Sequence, residues 1–528
     1  MDFTASCLNH PPEDQESAIF VDADAQDHII NWREYSSSVK RVAVGLQRLG
    51  LADEECMALM SRNDIHYHIL AHGVIAAGGV FAGVNAADKV PEIQASFASA
   101  DVKWRAEAAA RNLGIPGSRI LVFDVDAKCI FSDLLKSDER SWKPYAGTME
   151  PWDRPCFRIF TSGSTGISKA AEVSHATAVS RGPAFADVSA AETDFSQKKC
   201  LHVLDMHHVS GISASGASAL GKQTTYVSKQ GDAASTIDNI EKLGITTMMM
   251  HPRFMEDMTQ MIQAGKRNRA ALRSLHSLTV GGSVVNRRAA LDFKALLADG
   301  AVFVAAYGST EAGVISQLPS GTPYIPDFVG SAGPGVTLLV VDEDTLKPLG
   351  DARTGEVCVR TPSIFSGYVN NKEATDACFF TDGQGKVWHR TGDKGYFSSE
   401  HQQLTITGRL KESFKVGQNE VCPEEIDSEL MKHAAVKDAA TTSTAGRRQQ
   451  GDLEPIAYVV VPDPHVTREE LVQFVATSVS SYKAPTGGVV FCERIPRTAI
   501  GKVMRRQLDE LQRQERSTGF VTLAAGRQ

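Results

Sequence analysis

Nine consecutive residues, Thr161-Ser162-Gly163-Ser164-Thr165-Gly166-Ile167-Ser168-Lys169, carry five hydroxyl side chains, two glycines and a lysine. Backbone N–H groups exposed by the glycines, and the hydroxyls beside them, can donate to the oxygens of a bound anion, while the lysine supplies charge. That chemistry suits a phosphate. In isolation a solvated Ser/Gly turn is the commoner fate of such a stretch. Neighbouring motifs are excluded by spacing: a Walker loop needs glycine directly before its lysine, where Ser168 stands. The chain has no G-x-G-x-x-G, no H-E-x-x-H and no G-x-S-x-G.

A loop of this kind needs a strand to aim it, and Cys156-Phe157-Arg158-Ile159-Phe160 runs straight into it. The same texture holds along the first 300 residues. Ala18–Val21, Cys56–Met60, Val80–Val84, Leu201–Leu204, Thr224–Val227, Thr246–Met250, Ser277–Val280 and Ala301–Ala305 are short apolar runs expected to be strands. Between them lie segments of helical period, such as Val39, Val42, Ala43, Leu46 and Leu49 ending at Gly50; Ser61–Asp64 is expected to cap a helix running through Ala71, and Pro91–Ser99 to form another. Alternating strands and helices predict βαβ units and an α/β fold. Val336–Val341 and Gly355–Arg360, with a turn at Asp342–Asp344, look antiparallel, and beyond Gly408-Arg409 a smaller α+β segment ends in a charged helix, Met504–Arg516.

Composition sets bounds. The 528 residues carry a formal net charge of −8, are 42% hydrophobic and 22% charged, which fits a globular chain of several units. An acidic balance argues against sequence-wide attraction to nucleic acid or anionic membranes, while leaving room for a local basic site. The 9 cysteines lie singly with no C-x-x-C, as reduced thiols in a cytoplasmic protein would. Glu13, Asp14 and Glu16 stand where a secretory leader needs bases and an apolar run, Gly73–Ala87 is too short to span a bilayer, and Gly526-Arg527-Gln528 is not a peroxisomal address.

The glycine loop resembles the phosphate loop T-S-G-[ST]-T-G-x-P-K-G of the adenylate-forming superfamily, with Ser168 for proline and Ala170 for glycine. Further matches follow in the family's order. Asp205–Gly211 is similar to its histidine motif, Val280-Gly281-Gly282-Ser283 to its glycine turn, and Ala306-Tyr307-Gly308-Ser309-Thr310-Glu311 to Y-G-x-T-E. Gly355–Arg360 then matches G-E-[LV]-x-V-[RK], followed by Thr391-Gly392-Asp393, Gly408-Arg409-Leu410-Lys411-Glu412 and Pro496–Lys502, which resembles P-x-T-x-x-G-K. The frame as a whole is similar to acyl-CoA synthetases of the 4-coumarate:CoA-ligase type.

The resemblance implies a large N-terminal domain, 1–410, of βαβ-type sheets plus a small β-barrel-like part, and a mobile α+β cap, 411–528. It implies ATP, Mg2+ and coenzyme A. Carboxylic acid and ATP react to acyl-adenylate and pyrophosphate, and the acyl group passes to the thiol. In nucleotide binding it places Thr161, Ser162, Gly163, Ser164, Thr165, Gly166, Lys169, Gly282, Ser283, Ala306, Tyr307, Gly308, Ser309, Asp393 and Arg409. Glu311 would take the metal, Thr310 the α-phosphate, Tyr307 the adenine and Asp393 the ribose hydroxyls, since an ionised carboxylate accepts two hydrogen bonds. Lys502 would contact the carboxylate and α-phosphate, and His208 would gate the acyl pocket. Lys411 stands at the hinge; Lys415, Gly417 and Gln418 would line the thiol channel, Gln418 replacing the usual glycine. The remaining bases, Arg494, Arg497, Arg505 and Arg506, are expected on a solvated face.

The acyl pocket is expected between His208, Ser210, the helix after His251-Pro252-Arg253, Gly281, Ala305 and Ala306. The Ala306 methyl would shorten its floor, favouring a compact aryl or short-to-medium acid. Two alternatives remain open: a separate carrier protein or an amine as acceptor, because only 26 residues follow Lys502, and a nucleotide-binding protein without catalysis, against which Lys169, Glu311, Asp393, Arg409 and Lys502 together argue.

Overall fold

The structure, a computed structural model, describes residues 3–9, 11–86, 88, 90–106, 120–121, 130–144, 153–161, 169–186, 198–213, 223–229, 231–319, 322–416, 419–445, 453–463, 465–498, 501–505 and 507–508. Ser162, Gly163, Ser164, Thr165 and Gly166 of the glycine loop, Gly417 and Gln418, and most of the expected terminal helix lie outside them.

The helix Trp32–Arg48 shows how the local code works. Asn31 caps it by accepting from the Glu34 N–H at 2.8 Å, and Tyr35, Val39, Val42, Ala43 and Leu46 place one apolar stripe inside. Truncating Leu46, fully buried, to alanine would cost about 2–5 kcal/mol. The next helix departs from expectation: it runs Tyr67–Ala76, with His66 at its N-cap and no side-chain cap. Asn63 is used elsewhere, donating to the Leu204 carbonyl at 2.9 Å and accepting from the Met206 N–H at 3.0 Å. A distant turn outbid the local cap.

Helices and strands alternate into two mixed sheets. Among the described residues one has the order Ser331–Ala332, Gly313–Gln317, Val302–Ser309, Ser277–Gly281, Thr247–Met250, Lys199–His202, Thr224–Val227, Ala18–Asp22, Ile29–Asn31. Its strands from Val302–Ser309 to Ala18–Asp22 are parallel. The other has the order Gly367–Tyr368, Lys169–Ser174, Pro155–Thr161, Val80–Val84, Cys56–Met60, Val102–Ala106, Ile120–Leu121, parallel from Pro155–Thr161 onward. Parallel strands gather their carboxyl ends at one edge, where ligands bind in open α/β sheets. Segments 203–213, 251–253, 281–283 and 306–311 all leave such ends.

A third, antiparallel sheet takes the place expected for the barrel-like part: Thr337–Val341, Gly355–Arg360, Val387–Ser398 and Phe379–Thr381, with Gln403–Arg409 also on Val387–Ser398. Beyond it a smaller α+β unit packs the helices Pro423–Leu430 and Arg468–Ser478 on the strands Asp438–Ala445, Leu453–Val460 and Gly488–Phe491 through Ile426, Leu430, Ala457, Val459, Leu471 and Val475.

The large core contains histidines as well as hydrocarbons. His68 and His72 share one face of their helix and are 2% and 1% exposed, and His202 lies against His68 with ring centroids 6.4 Å apart. The Tyr35 hydroxyl pairs with His72 Nδ1. Burial pushes His72 down to about 3 and His202 down to about 4, and His68 well below its usual value. All three are therefore neutral when folded and bind protons on unfolding below their ordinary value near 6.5, so stability is full above that pH and falls as pH drops through the window from 6.5 toward 4. His72 and His202 each contribute about 1.4 kcal/mol per pH unit across that window, and His68 acts in the same direction. Denaturant unfolding from pH 7 to 5 is expected to show this early loss, and His72→Gln, which cannot be protonated, to flatten it.

Candidate active site

The glycine loop is a connection between two antiparallel strands whose ends, Thr161 and Lys169, pair directly; Thr161 Oγ1 lies 3.4 Å from the Lys169 carbonyl across its mouth. Lys169 does not hang free. Its Nζ sits 4.1 Å from the ring centroid of Tyr368, and the Tyr368 hydroxyl donates to Glu311 Oε1 at 2.6 Å. Lysine, tyrosine and glutamate thus form one chain of contacts from the loop to the Y-G-x-T-E segment. Burial, then the Glu311 charge, push the Tyr368 hydroxyl well above its usual range, so it remains a donor. Cys378 and His389 also face Glu311; burial raises the thiol and lowers the imidazole.

A second cluster centres on Asp393. The strands Val387–Ser398 and Gln403–Arg409 set Asp393 opposite Arg409, and Arg409 Nε reaches Asp393 Oδ1 at 2.7 Å. The Tyr307 hydroxyl donates to Oδ2 at 2.6 Å. Asp393 is 3% exposed. Burial raises its pKa, against the downward pull of Arg409 and the Tyr307 hydrogen bond. Tyr307 therefore faces a carboxylate through its hydroxyl, a partnership that its motif did not announce.

Lys502, on the small unit, lies within electrostatic reach of this cluster. Its environment is partly desolvated, which lowers its pKa first, and Arg409 lowers it further while Glu412 and Asp393 oppose. A tight turn presents it: Lys502 N–H donates to Thr498 Oγ1 at 3.1 Å, Thr498 N–H to the Lys502 carbonyl at 2.8 Å, and Arg497 Nη1 to the Gly501 carbonyl at 2.7 Å. Gly501 has φ +81°, and a Cβ there would stand 2.8 Å from Arg253 Cβ, so the turn rests on the helix Pro252–Gln263. Asp438 ties the two together. It accepts from Arg497 Nη2 at 2.6 Å and lies 3.8 Å from Arg253 Nη1. Beside this cluster burial pushes Glu256 up to about 7.

The expectation of a solvated basic face holds for Arg494, which is exposed, and fails for Arg497 and Arg505. Arg497 is held by Asp438, and Arg505 is buried among Glu412 at 2.8 Å, Asp427 at 2.9 Å and Glu424 at 3.0 Å. Carboxylates scattered from 412 to 438 claim bases that look solvent-facing in the sequence. Arg506 lies outside the described residues. Lys411 and Lys415 are exposed, Lys411 in the short turn Leu410–Glu412.

On the remaining side, the rings of His207 and His208 lie against each other, tilted by 39° with centroids 4.2 Å apart, and burial pushes each down to about 4. Both are neutral at pH 7. Asp205, His207 and His208 bring one ligand atom each within 4.8 Å of one another. His251 Nδ1 lies 3.0 Å from the Gly281 carbonyl, and Gly282, at φ +91°, leaves the space that a Cβ would contest with that ring. Ser210 and Ala305 are buried, Ala306 and Ser283 half-buried, and Gly308 exposed. Ser309 Oγ accepts from the Ala312 N–H at 3.1 Å, shaping the turn that carries Thr310 and Glu311. Sequence reasoning missed Tyr368, 57 residues from Glu311, since no motif marks it.

The α/β fold and this cleft define an adenylate-forming enzyme. Residues 6–369 match the family described as AMP-binding enzyme, and residues 425–502 the AMP-binding enzyme C-terminal domain. The chain belongs to the AMP-binding enzyme family. A phenylacetyl-CoA ligase of Aspergillus niger is 29% identical over 94% of each chain, and 4-coumarate–CoA ligase 5 of Oryza sativa is 26% identical over 94% of this chain and 91% of that one. ATP-bound MatB of Rhodopseudomonas palustris shares the fold with a TM-score of 0.85, at 22% identity over 97% of this chain and 99% of that one.

The Asp438 tie gives a direct expectation. Asp438→Ala strands two arginines and should speed hydrogen exchange in segment 497–503 about 10–100-fold, with the strand Leu453–Val460 unchanged, as read by mass spectrometry.

Proposed function

We propose that this protein activates a small carboxylic acid with ATP, forming an acyl-adenylate and pyrophosphate, and then transfers the acyl group to coenzyme A. The observation that carries the reading is the convergence of cations on one buried carboxylate: Arg409 pairs with Asp393 at 2.7 Å, and Lys502, from the smaller unit, lies within electrostatic reach of both. Two anions must be brought together for this reaction, and alignment beside fixed cations lowers its barrier.

Asp393, already oriented by Arg409 and Tyr307, accepts from the ribose hydroxyls, and Tyr307 lies along the adenine. Thr161, the loop 162–166, Lys169, Ser283 and Thr310 contact the phosphates. Lys502 neutralises the incoming carboxylate and the α-phosphate. Glu311 suits Mg2+: it is a hard oxygen donor held by Tyr368, beside the loop that takes the phosphates. Bound there, the ion would neutralise phosphate charge. The cap 411–528, hinged at Lys411, delivers Lys502 for the first half-reaction and the Lys415–Gln418 segment for the second. The neutral pair His207 and His208 offers N–H donors without net charge, which favours a compact aryl acid over a dicarboxylate. No helix among the described residues is long and apolar enough to cross a membrane, in keeping with work in the cytoplasm.

ATP–pyrophosphate exchange with a panel of acids tests the reading: aryl acids are expected to exceed long-chain fatty acids by about tenfold or more. Lack of exchange with every acid would leave a binding protein. Trapping by hydroxylamine without thioester on adding CoA would point to an amine or carrier-protein acceptor. Lys502→Ala is expected to lower exchange by about 100-fold or more while sparing thioester formation from supplied acyl-AMP.

The Asp393 cluster predicts a pH effect. Tyr307→Phe removes a hydrogen bond that favours the charged carboxylate, so Asp393 titrates at higher pH. AMP affinity by calorimetry should then decline at a higher pH on the acid side than in the native chain. Asp393→Asn should weaken AMP about tenfold or more at pH 7.

A further inference from the structure

Behind the Glu311–Tyr368 pair lies an arginine that no motif explains. Arg181, on the helix His175–Ala186, is 4% exposed and meets no carboxylate within salt-bridge distance among the described residues. Its guanidinium donates instead to backbone. Nη2 reaches the carbonyls of Thr310 at 3.0 Å, Glu311 at 3.3 Å and Ser363 at 2.9 Å, and Nε reaches Ser363 at 3.2 Å. Burial lowers its pKa to about 10, which leaves it charged at neutral pH.

The carbonyls it gathers belong to the two segments whose side chains form the Glu311–Tyr368 hydrogen bond. Phe365 N–H also donates to the Glu311 carbonyl at 2.7 Å, and from the same helix Thr177 Oγ1 donates to Ile364 at 2.8 Å and Ser180 Oγ to Pro362 at 3.1 Å. The helix itself follows the strand Lys169–Ser174, whose first residue lies on the Tyr368 ring. One helix therefore backs Lys169, Glu311 and Tyr368 together.

A buried cation is expensive to desolvate, so its place needs a return. A hydrocarbon in the helix would fill the volume, but would leave three carbonyls of the Thr310–Glu311 and Ser363 turns without a common donor. Lysine keeps the charge but is a single point donor, without the planar fork that spans separate acceptors. We propose that Arg181 is a positioning residue for adenylation, fixing the Thr310–Glu311 peptide against the Ser363–Tyr368 segment so that Glu311 is set for the cation that accompanies ATP. The inference rests on the acid-activating reading above.

The test is Arg181→Lys in the full-length chain, judged against the native enzyme with an acid that supports exchange. If the native chain exchanges with no acid, the reading of function fails before this one is reached. Given native exchange, the variant is expected to lose about 10–100-fold in exchange kcat and to need several-fold more Mg2+ for half-saturation, with KM for the acid and thioester formation from supplied acyl-AMP within about twofold. Mn2+ binding in the presence of α,β-methylene-ATP, read by electron paramagnetic resonance without turnover, should weaken several-fold. A KM effect confined to the acid, equal loss in both half-reactions, or unchanged metal binding would overturn the proposal. Should Arg181→Lys fold poorly by thermal melting, the double variant Thr177→Val, Ser180→Ala loosens the same backing while keeping the guanidinium. It should raise the metal requirement about twofold or more, and no rise would count against the proposal.

Discussion

Asp393 pays the desolvation cost of a buried carboxylate, and two partners, the Arg409 guanidinium and the Tyr307 hydroxyl, favour its charged form against that cost. The arrangement joins separate parts of the molecule. Tyr307 belongs to the nine-stranded sheet, Asp393 and Arg409 to the antiparallel sheet, and Lys502 approaches from the smaller unit. Were either sheet displaced, the buried carboxylate would lose a partner at a cost comparable to a large part of a domain's stability. Sheet packing and site geometry are thus held by the same contacts.

A second constraint is charge. A chain with net charge −8 must host a polyanion, so its cations have to be concentrated and kept from their many carboxylates. The structure does this by sorting. Arg497 and Arg505 are absorbed by Asp438 and by Glu412, Glu424 and Asp427, where they hold the small unit's fold and its contact with Arg253. Lys169 is set over a tyrosine ring, whose face attracts the ammonium without neutralising it. Lys502 stands in a turn stiffened by Arg497, so the arginine shapes the backbone that presents the lysine.

Histidine is used in two ways. His68, His72 and His202 fill a core where their neutrality is enforced by burial, and their reading as core groups follows from their exposure. His207 and His208 are neutral for the same reason but stand beside the carboxyl ends of the strands, next to Gly281–Ser283 and His251. Identical chemistry takes different roles according to which sheet edge it meets.

Much of this was legible in the chain itself. Short-range rules determined the strands, the stripe Tyr35, Val39, Val42 and Leu46, and the ordered motifs, because strand alternation, helical period and turn chemistry act over a few residues. Asp393 and Arg409 could be named from their motifs, and so could Glu311 and Lys502. Their partners could not. Tyr368 beneath Lys169, Arg181 behind Glu311, Asn63 turned away from its own helix, and Asp438 between two arginines are all long-range contacts, across 59 to 199 positions of the chain. Nothing in local propensity or spacing encodes such distances. Only the tertiary structure decides which buried ion meets which donor, since desolvation makes each unpaired group costly and packing alone settles who is near enough to pair.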